Sequence, residues 1–232
     1  MKIHTEFSQN SLEWLAARAG VCTASEFDEI MTPKFKAREG KMVESYLCRK
    51  LAEQWMGPLP SFNTLDMEFG KIKEEQAIPF YEGVFDEKIK QVALITDDEG
   101  KYGCSPDGLI GEDGGIEIKC PRAENHLKYL RAKELPDEYA TQVHGSLYVT
   151  GRKFWKFVSF HPRFPIFVKT IHRDEEKCDL IGEALNDFLD KLDEGFKELV
   201  KMNGGERPRI FNLGTAGIDE RKLEDPNGDI TP

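Results

Sequence analysis

Between Ile89 and Cys120 the chain doubles back on itself in short apolar runs punctuated by acidic, glycine-containing turns. Ile89 to Ile95 reads as a strand, Asp97-Asp98-Glu99-Gly100 as a turn, and Lys101 to Ser105 as the returning strand. Asp107 to Ile110 opens another strand, Glu112-Asp113-Gly114-Gly115 turns it, and Ile116 to Cys120 runs back. The expectation is an antiparallel meander. Its flanks are helical: Leu12 to Ala16 ahead of Gly20, a helix start at Thr23-Ala24-Ser25-Glu26 that ends by Pro33, and residues 42–56 with Met42, Val43, Tyr46, Leu47, Leu51 and Trp55 at helical spacing. A further helix is expected over 66–82, where Pro79 kinks it or ends it early. Residues 123–133 read as a basic helix, and Pro136-Asp137 open another that holds Gln142 and Val143. Strands follow over 153–160 and 166–171, then a long amphipathic helix over 175–202. Helices, meander, helix, two strands and a helix make one α+β or mixed-sheet α/β domain. We place that domain at 1–203 and a polar, flexible tail at 204–232.

Bulk properties exclude several classes. The chain has 232 residues and is 39% hydrophobic, enough for an ordinary globular core. No apolar run is long enough to cross a bilayer, and the N-terminus MKIHTEFSQNSLEW lacks a secretory apolar stretch, so a cytoplasmic location is expected. Five cysteines without a CxxC pair argue against a disulfide framework or a zinc knuckle. A net charge of −10 argues against a protein that coats nucleic acid by bulk attraction, but a local basic groove or metal ions leave a nucleic-acid enzyme open.

The chemistry is concentrated in Ser105-Pro106-Asp107-Gly108-Leu109-Ile110 and Gly115-Ile116-Glu117-Ile118-Lys119-Cys120-Pro121. Side chains two apart on a strand share a face, so Glu117 and Lys119 point together while Ile116, Ile118 and Cys120 fill the other side. Asp107 starts the preceding strand, which brings it near Glu117. Two carboxylates suit a hard cation such as Mg²⁺, and a lysine beside them suits phosphodiester cleavage. A surface hairpin with a cross-strand salt bridge accounts for these three residues at least as well on geometry alone.

The run SPDGLI followed by GIEIKCP resembles the core motif of the lambda exonuclease family, also called YqaJ-type viral recombinases, within the PD-(D/E)XK nuclease superfamily. Trp14 with Arg18, then Gly20-Val21-Cys22-Thr23-Ala24-Ser25-Glu26, resembles that family's N-terminal segment. Phe69-Gly70-Lys71 leading to Glu74 resembles its acidic helix, and Tyr139-Ala140-Thr141-Gln142-Val143 its glutamine helix. The resemblance implies a restriction-endonuclease-like core, with a central mixed β-sheet flanked by helices. It implies that Asp107, Glu117, the Ile118 carbonyl and Glu74 hold two Mg²⁺ ions, which Mn²⁺ can replace. Lys119 would position and activate water, and Gln142 would keep the site in order. Arg18, Ser25 and Ser105 match positions that bind a terminal 5′ phosphate. Weaker DNA contacts are implied for the loop with Lys34, Lys36, Arg38 and Lys41, for Met67 as a wedge at the duplex end, and for Arg122, Lys128, Arg131 and Lys133. Taken literally, the enzyme is a 5′-to-3′ exonuclease on double-stranded DNA ends that releases 5′-mononucleotides. It would be encoded by a phage or prophage, act in a bacterial host, form a homotrimeric ring and serve a single-strand annealing protein. The alternatives are an endonuclease of the same superfamily and a non-catalytic DNA-end-binding scaffold.

Overall fold

The computed structural model describes residues 1–60 and 76–206. Nine strands and six helices follow one another here, with short 3-10 turns between them. The strands are β1 (Lys2–His4), β2 (Cys22–Thr23), β3 (Ile89–Lys90), β4 (Leu94–Thr96), β5 (Tyr102–Cys104), β6 (Gly108–Ile110), β7 (Gly114–Lys119), β8 (Phe154–Ser159) and β9 (Phe167–His172). The helices are α1 (Leu12–Arg18), α2 (Lys41–Met56), α3 (76–85), α4 (Ala123–Ala132), α5 (Ala140–Thr150) and α6 (Glu175–Met202).

Two mixed sheets form rather than the one central sheet expected. The first has the order β1-β4-β5-β2, the second β3-β6-β7-β8-β9. Among the described residues only β2 with β5 and β7 with β8 run parallel. The expected strand over Ile89 to Ile95 is thereby corrected: Ile89 pairs with Ile110 in the second sheet, whereas Ile95 pairs with Ile3 and Cys104 in the first. The chain changes sheets between Lys90 and Leu94, and changes back between Cys104 and Gly108. The partner that captures Leu94–Thr96 is β1, at the other end of the sequence, and no local signal marks it. Gly114 and Gly115, expected in a turn, lie inside β7. Gly115 is needed there for close approach, because a Cβ would sit 2.2 Å from the Trp155 ring. The Thr23 segment forms a 3-10 turn over Ala24–Glu29 instead of an α-helix.

Two helices start on a side-chain cap. Ser11 caps α1 by accepting from the Trp14 N–H at 3.1 Å, and Asp174 caps α6 by accepting from the Lys177 N–H at 3.2 Å. On α6, Ile181, Leu185, Phe188 and Leu192 recur at helical spacing and are all buried. Helix α5 is buried almost all round, packing on β8, β5, α6 and the 3-10 turn. Pro79 lies within α3 without ending it, and the rest of the segment expected to form this helix lies outside the described residues. Ala77 and Tyr81 of α3 cover Ile116, Ile118 and Val158, which closes one face of the second sheet. The opposite face carries Trp155 and Phe157 into the main core, with Val143 and Leu147 of α5. Among the described residues no helix is long and apolar enough to cross a membrane.

Candidate active site

Strand β7 separates its residues by face. Ile116 and Ile118 are buried beneath α3, and Glu117 and Lys119 project to the α5 side. Glu117 is only 5% exposed. A carboxylate so buried needs partners, and it has them: one oxygen, Oε1, accepts from Gln142 Nε2 at 2.6 Å and pairs with Lys119 Nζ at 2.7 Å. Burial opposes the charge on Lys119, but the Glu117 and Asp107 carboxylates together outweigh it and hold the ammonium's pKa above its ordinary value. The group is therefore a fixed positive charge. Its Nζ also lies 5.3 Å from the centre of the Tyr139 ring, which stacks on Phe157.

Asp107 reaches the same place from the other strand. The register pairs Gly108 with Ile116, and β6 covers β7 only as far as Ile116. Beyond that point the Ile118 N–H is taken up by Asp107 Oδ2 at 2.5 Å. On a strand, the N–H and C=O of one residue leave on the same side. The Lys119 carbonyl accepts from the Phe160 N–H on the β8 side, so the Ile118 carbonyl faces the Asp107 edge. Asp107, Glu117 and the Ile118 carbonyl make an all-oxygen set with a negative balance, the chemistry a hard divalent cation takes. Among the described residues no group of three or more His, Cys, Asp or Glu side chains is placed to hold a metal. Glu74, the third carboxylate expected from the sequence, lies outside those residues, as does Met67.

A second cluster assembles around Arg18. Its Nη1 donates to Ser105 Oγ at 2.9 Å and its Nη2 to Thr23 Oγ1 at 3.1 Å. Thr23 and Ser25 hydroxyls lie 3.2 Å apart. The Trp14 ring packs 4.3 Å from the guanidinium, and its indole N–H is shared between the Ala93 carbonyl at 2.9 Å and Ser105 Oγ at 3.2 Å. Arg18 and Ser25 thus converge with the distant Ser105 as one hydroxyl-rich cationic corner, the donor set an anionic phosphate takes. Burial draws the Arg18 pKa down, with Glu26 pulling the other way.

Behind this corner stands a charged network that the sequence reading missed. Lys50, 3% exposed, pairs with Glu26 and Glu53 at 2.8 Å each. Burial alone would raise the Glu26 carboxyl, but Lys50 with Arg49 and Arg18 holds it below the usual range. Glu26 also accepts from Thr23 at 3.3 Å and Tyr46 at 3.4 Å. One signal was available: Tyr46, Lys50 and Glu53 recur at helical spacing, so a lysine stands on the inward stripe of α2. Thr23 and Tyr139 carry no sequence signal beyond the motifs they stand in, although Tyr139 lies one turn before Gln142.

Lys34, Lys36 and Lys41 are exposed. Arg38 folds back, its Nε donating to the carbonyls of Asp28 at 2.7 Å and Met31 at 3.1 Å. Lys128, Arg131 and Lys133 are exposed around α4, and Arg122 precedes it.

The two clusters meet in Ser105-Pro106-Asp107, the chain's crossing from the first sheet to the second. Ser105 belongs to the cationic corner and Asp107 to the carboxylate set. Two residue steps reach at most about 7 Å.

Several solved structures share this fold. A solved structure of an alkaline exonuclease (LHK-Exo) from Laribacter hongkongensis superimposes with a TM-score of 0.75 at 28% identity, covering 84% of this chain and 98% of that one. The same exonuclease in complex with dAMP gives 0.76 at 29% identity over the same shares. A phage-related exonuclease from Haemophilus somnus shares the fold, with a TM-score of 0.62 at 16% identity over 77% of this chain and 96% of that one. No curated protein sequence matches. The model of the YqaJ-like viral recombinase domain matches residues 13–153, well over half of the chain and the stretch that carries both clusters. The chain belongs to the YqaJ-like viral recombinase domain family.

Proposed function

We propose that this protein is a metal-dependent 5′-to-3′ exonuclease that degrades one strand of linear double-stranded DNA to 5′-mononucleotides. The observation that carries the reading is the shared segment Ser105-Pro106-Asp107, which joins a phosphate-binding corner to a carboxylate–lysine site. A 5′-terminal phosphate held by Arg18, Thr23, Ser25 and Ser105 leaves the next phosphate of the strand at Asp107, Glu117 and Lys119. The bond cut is then the first one in, and the product is a mononucleotide.

Asp107, Glu117 and the Ile118 carbonyl hold the cation in this reading, with Glu74 as the further carboxylate of a pair of Mg²⁺ sites that also accept Mn²⁺. Ions held by these residues would supply Lewis-acid chemistry, lowering the pKa of water and offsetting charge on the leaving 3′ oxygen. Gln142 keeps Glu117 turned toward the site. Lys119, charged and tethered to Glu117, donates to the attacking water and offsets charge developing on the phosphoryl group. The core corresponds to a restriction-endonuclease-like fold, residues 1–203 act as one nuclease domain, and the resulting 3′ overhang is the substrate of a single-strand annealing protein. Membership of a viral recombinase family and likeness to an alkaline exonuclease support a phage or prophage role in a bacterial host, and the working assembly in this reading is a homotrimeric ring.

Digestion of matched linear and covalently closed circular duplex tests the end requirement. The reading expects the linear form to be consumed and the closed circle to survive. Degradation of the closed circle would make the protein an endonuclease, and inertness toward both in Mg²⁺ and Mn²⁺ would leave a binding scaffold.

A further inference from the structure

Lys50 is a lysine almost without access to solvent. It is 3% exposed, and its ammonium ends between two carboxylates, Glu26 Oε2 and Glu53 Oε2, each at 2.8 Å. It lies too deep to reach DNA, so any effect on the site passes through those two partners.

Both carboxylates grip the segment that carries the cationic corner. Glu53 Oε2 accepts from the Gly20 N–H at 3.0 Å, two residues after Arg18. Gly20 is left-handed at φ +77, and a Cβ there would lie 2.4 Å from Gln54 Cγ, so this turn rests directly on α2. Glu26 Oε2 accepts from the Thr23 hydroxyl at 3.3 Å and from the Tyr46 hydroxyl at 3.4 Å. A hydroxyl has one proton to give. With that proton committed to Glu26, the Thr23 oxygen keeps its lone pairs for Arg18 Nη2, which donates to it at 3.1 Å. This order holds while Glu26 is ionised and can only accept. Lys50 at one oxygen and Arg49 Nη2, 3.3 Å from the other, favour that state. They also leave Arg18 free of a carboxylate: its donors go to the neutral hydroxyls of Thr23 and Ser105. Glu26 is the charge that Arg18 feels most. Stripped of its inner counter-ion, Glu26 would compete with a phosphate for the guanidinium.

We propose that Lys50 is a positioning residue for recognition of the DNA end. From inside the fold it neutralises Glu26 and Glu53, which fixes the Thr23 hydroxyl and the Gly20 turn and keeps Arg18 turned toward the terminal 5′ phosphate. The proposal rests on the reading of the Arg18 corner as a phosphate site, and it adds a buried charge that sets the preference without touching DNA.

The test is binding of a hairpin duplex with one open end, carrying either a 5′ phosphate or a 5′ hydroxyl, to the full chain by fluorescence anisotropy with chelator present. Wild type binds the phosphorylated end more tightly. Lys50→Met weakens that end on the order of tenfold, the scale of one charge-assisted hydrogen bond, and leaves the hydroxyl end unchanged. Lys50→Met/Glu26→Gln removes the stranded carboxylate while keeping an acceptor for Thr23, and it restores the preference. An unchanged preference in Lys50→Met would overturn the proposal, and so would equal weakening of both ends, which is what a purely structural lysine gives. If a melting scan shows that Lys50→Met does not fold, the double variant decides: a retained preference supports the proposal and a lost one overturns it. Failure of the underlying reading looks different. Equal binding of both ends by wild type removes the phosphate corner and the proposal with it. A Lys50-dependent preference without cleavage of linear duplex in Mg²⁺ or Mn²⁺ removes the exonuclease and leaves the role of Lys50 standing.

Discussion

Lys119 stands where the carboxylates converge, and its ion pair with Glu117 separates two ways of using a lysine. A merely structural bridge would make its loss a matter of stability. In the proposed enzyme Lys119→Ala leaves binding of 5′-phosphorylated duplex within a few-fold of wild type, and cleavage falls by about 10²–10³-fold, the usual effect of removing one preorganised donor. A gel-shift titration beside a single-turnover assay measures both, and a cleavage rate near wild type would remove Lys119 from the reaction. His144 makes a different prediction. It is buried on α5, its Nδ1 has no hydrogen-bond partner among the described residues, and it sits edge-on to the Phe35 ring. Burial pushes its pKa down to about 4, with Lys177 adding to the effect and Asp174 opposing it. The folded pKa lies below the unfolded value near 6.5. Stability is therefore full above about pH 6.5 and is lost as pH falls toward 4, by at most about 3 kcal/mol. Melting temperatures between pH 7.5 and 4.5 should show that decline, and His144→Gln should flatten it. An equally steep decline in the variant would assign the acid sensitivity to other groups.

Helix α5 carries Gln142 to one cluster and packs against the 3-10 turn that presents Ser25 to the other. Gly145 makes this approach possible, since a Cβ there would lie 2.6 Å from the Phe27 ring and 3.2 Å from Ala24. Alanine improves helix propensity by about 1 kcal/mol, and forced overpacking costs about 1–3 kcal/mol. Gly145→Ala is expected to lower the melting temperature and to reduce the rate advantage of a 5′-phosphorylated end more than the rate on an unphosphorylated one. A stabilised variant with unchanged preference would contradict this account of the packing. Elements of this kind were largely legible in the sequence, because α2 and α6 carry apolar residues at helical spacing, α6 is also capped by Asp174, and Pro136-Asp137 mark the approach to α5. The β7 face pattern was legible too, since Glu117 and Lys119 alternate with Ile116 and Ile118. The two changes of sheet were not, because Leu94–Thr96 is claimed by Lys2–His4 from the far end of the chain, and strand pattern alone does not name its partner.

At the scale of the whole molecule, the two sheets each contribute half of the proposed site, and the crossing at Ser105-Pro106-Asp107 sets their separation. Geometry alone left Asp107, Glu117 and Lys119 open to a salt-bridged hairpin, and only the ordered resemblance around Arg18, Ser25 and Gln142 moved them toward cleavage. The structure adds what no single motif held: Thr23 between Arg18 and Ser25, and the buried Lys50–Glu26 pair behind them. A net charge of −10 conceals that corner, because bulk composition averages over local fields. The ring proposed for the assembly predicts a mass of three chains by sedimentation equilibrium, and a monomer at working concentrations would exclude it. The central claim, that one end of the DNA is recognised by its phosphate before it is cut, is tested most directly by digesting linear duplex with a 5′ phosphate or a 5′ hydroxyl, using wild type and Arg18→Ala. The account predicts faster digestion of the phosphorylated end by wild type and loss of that difference in the variant. Equal rates on both ends by the wild type, or an undiminished preference in Arg18→Ala, would contradict it.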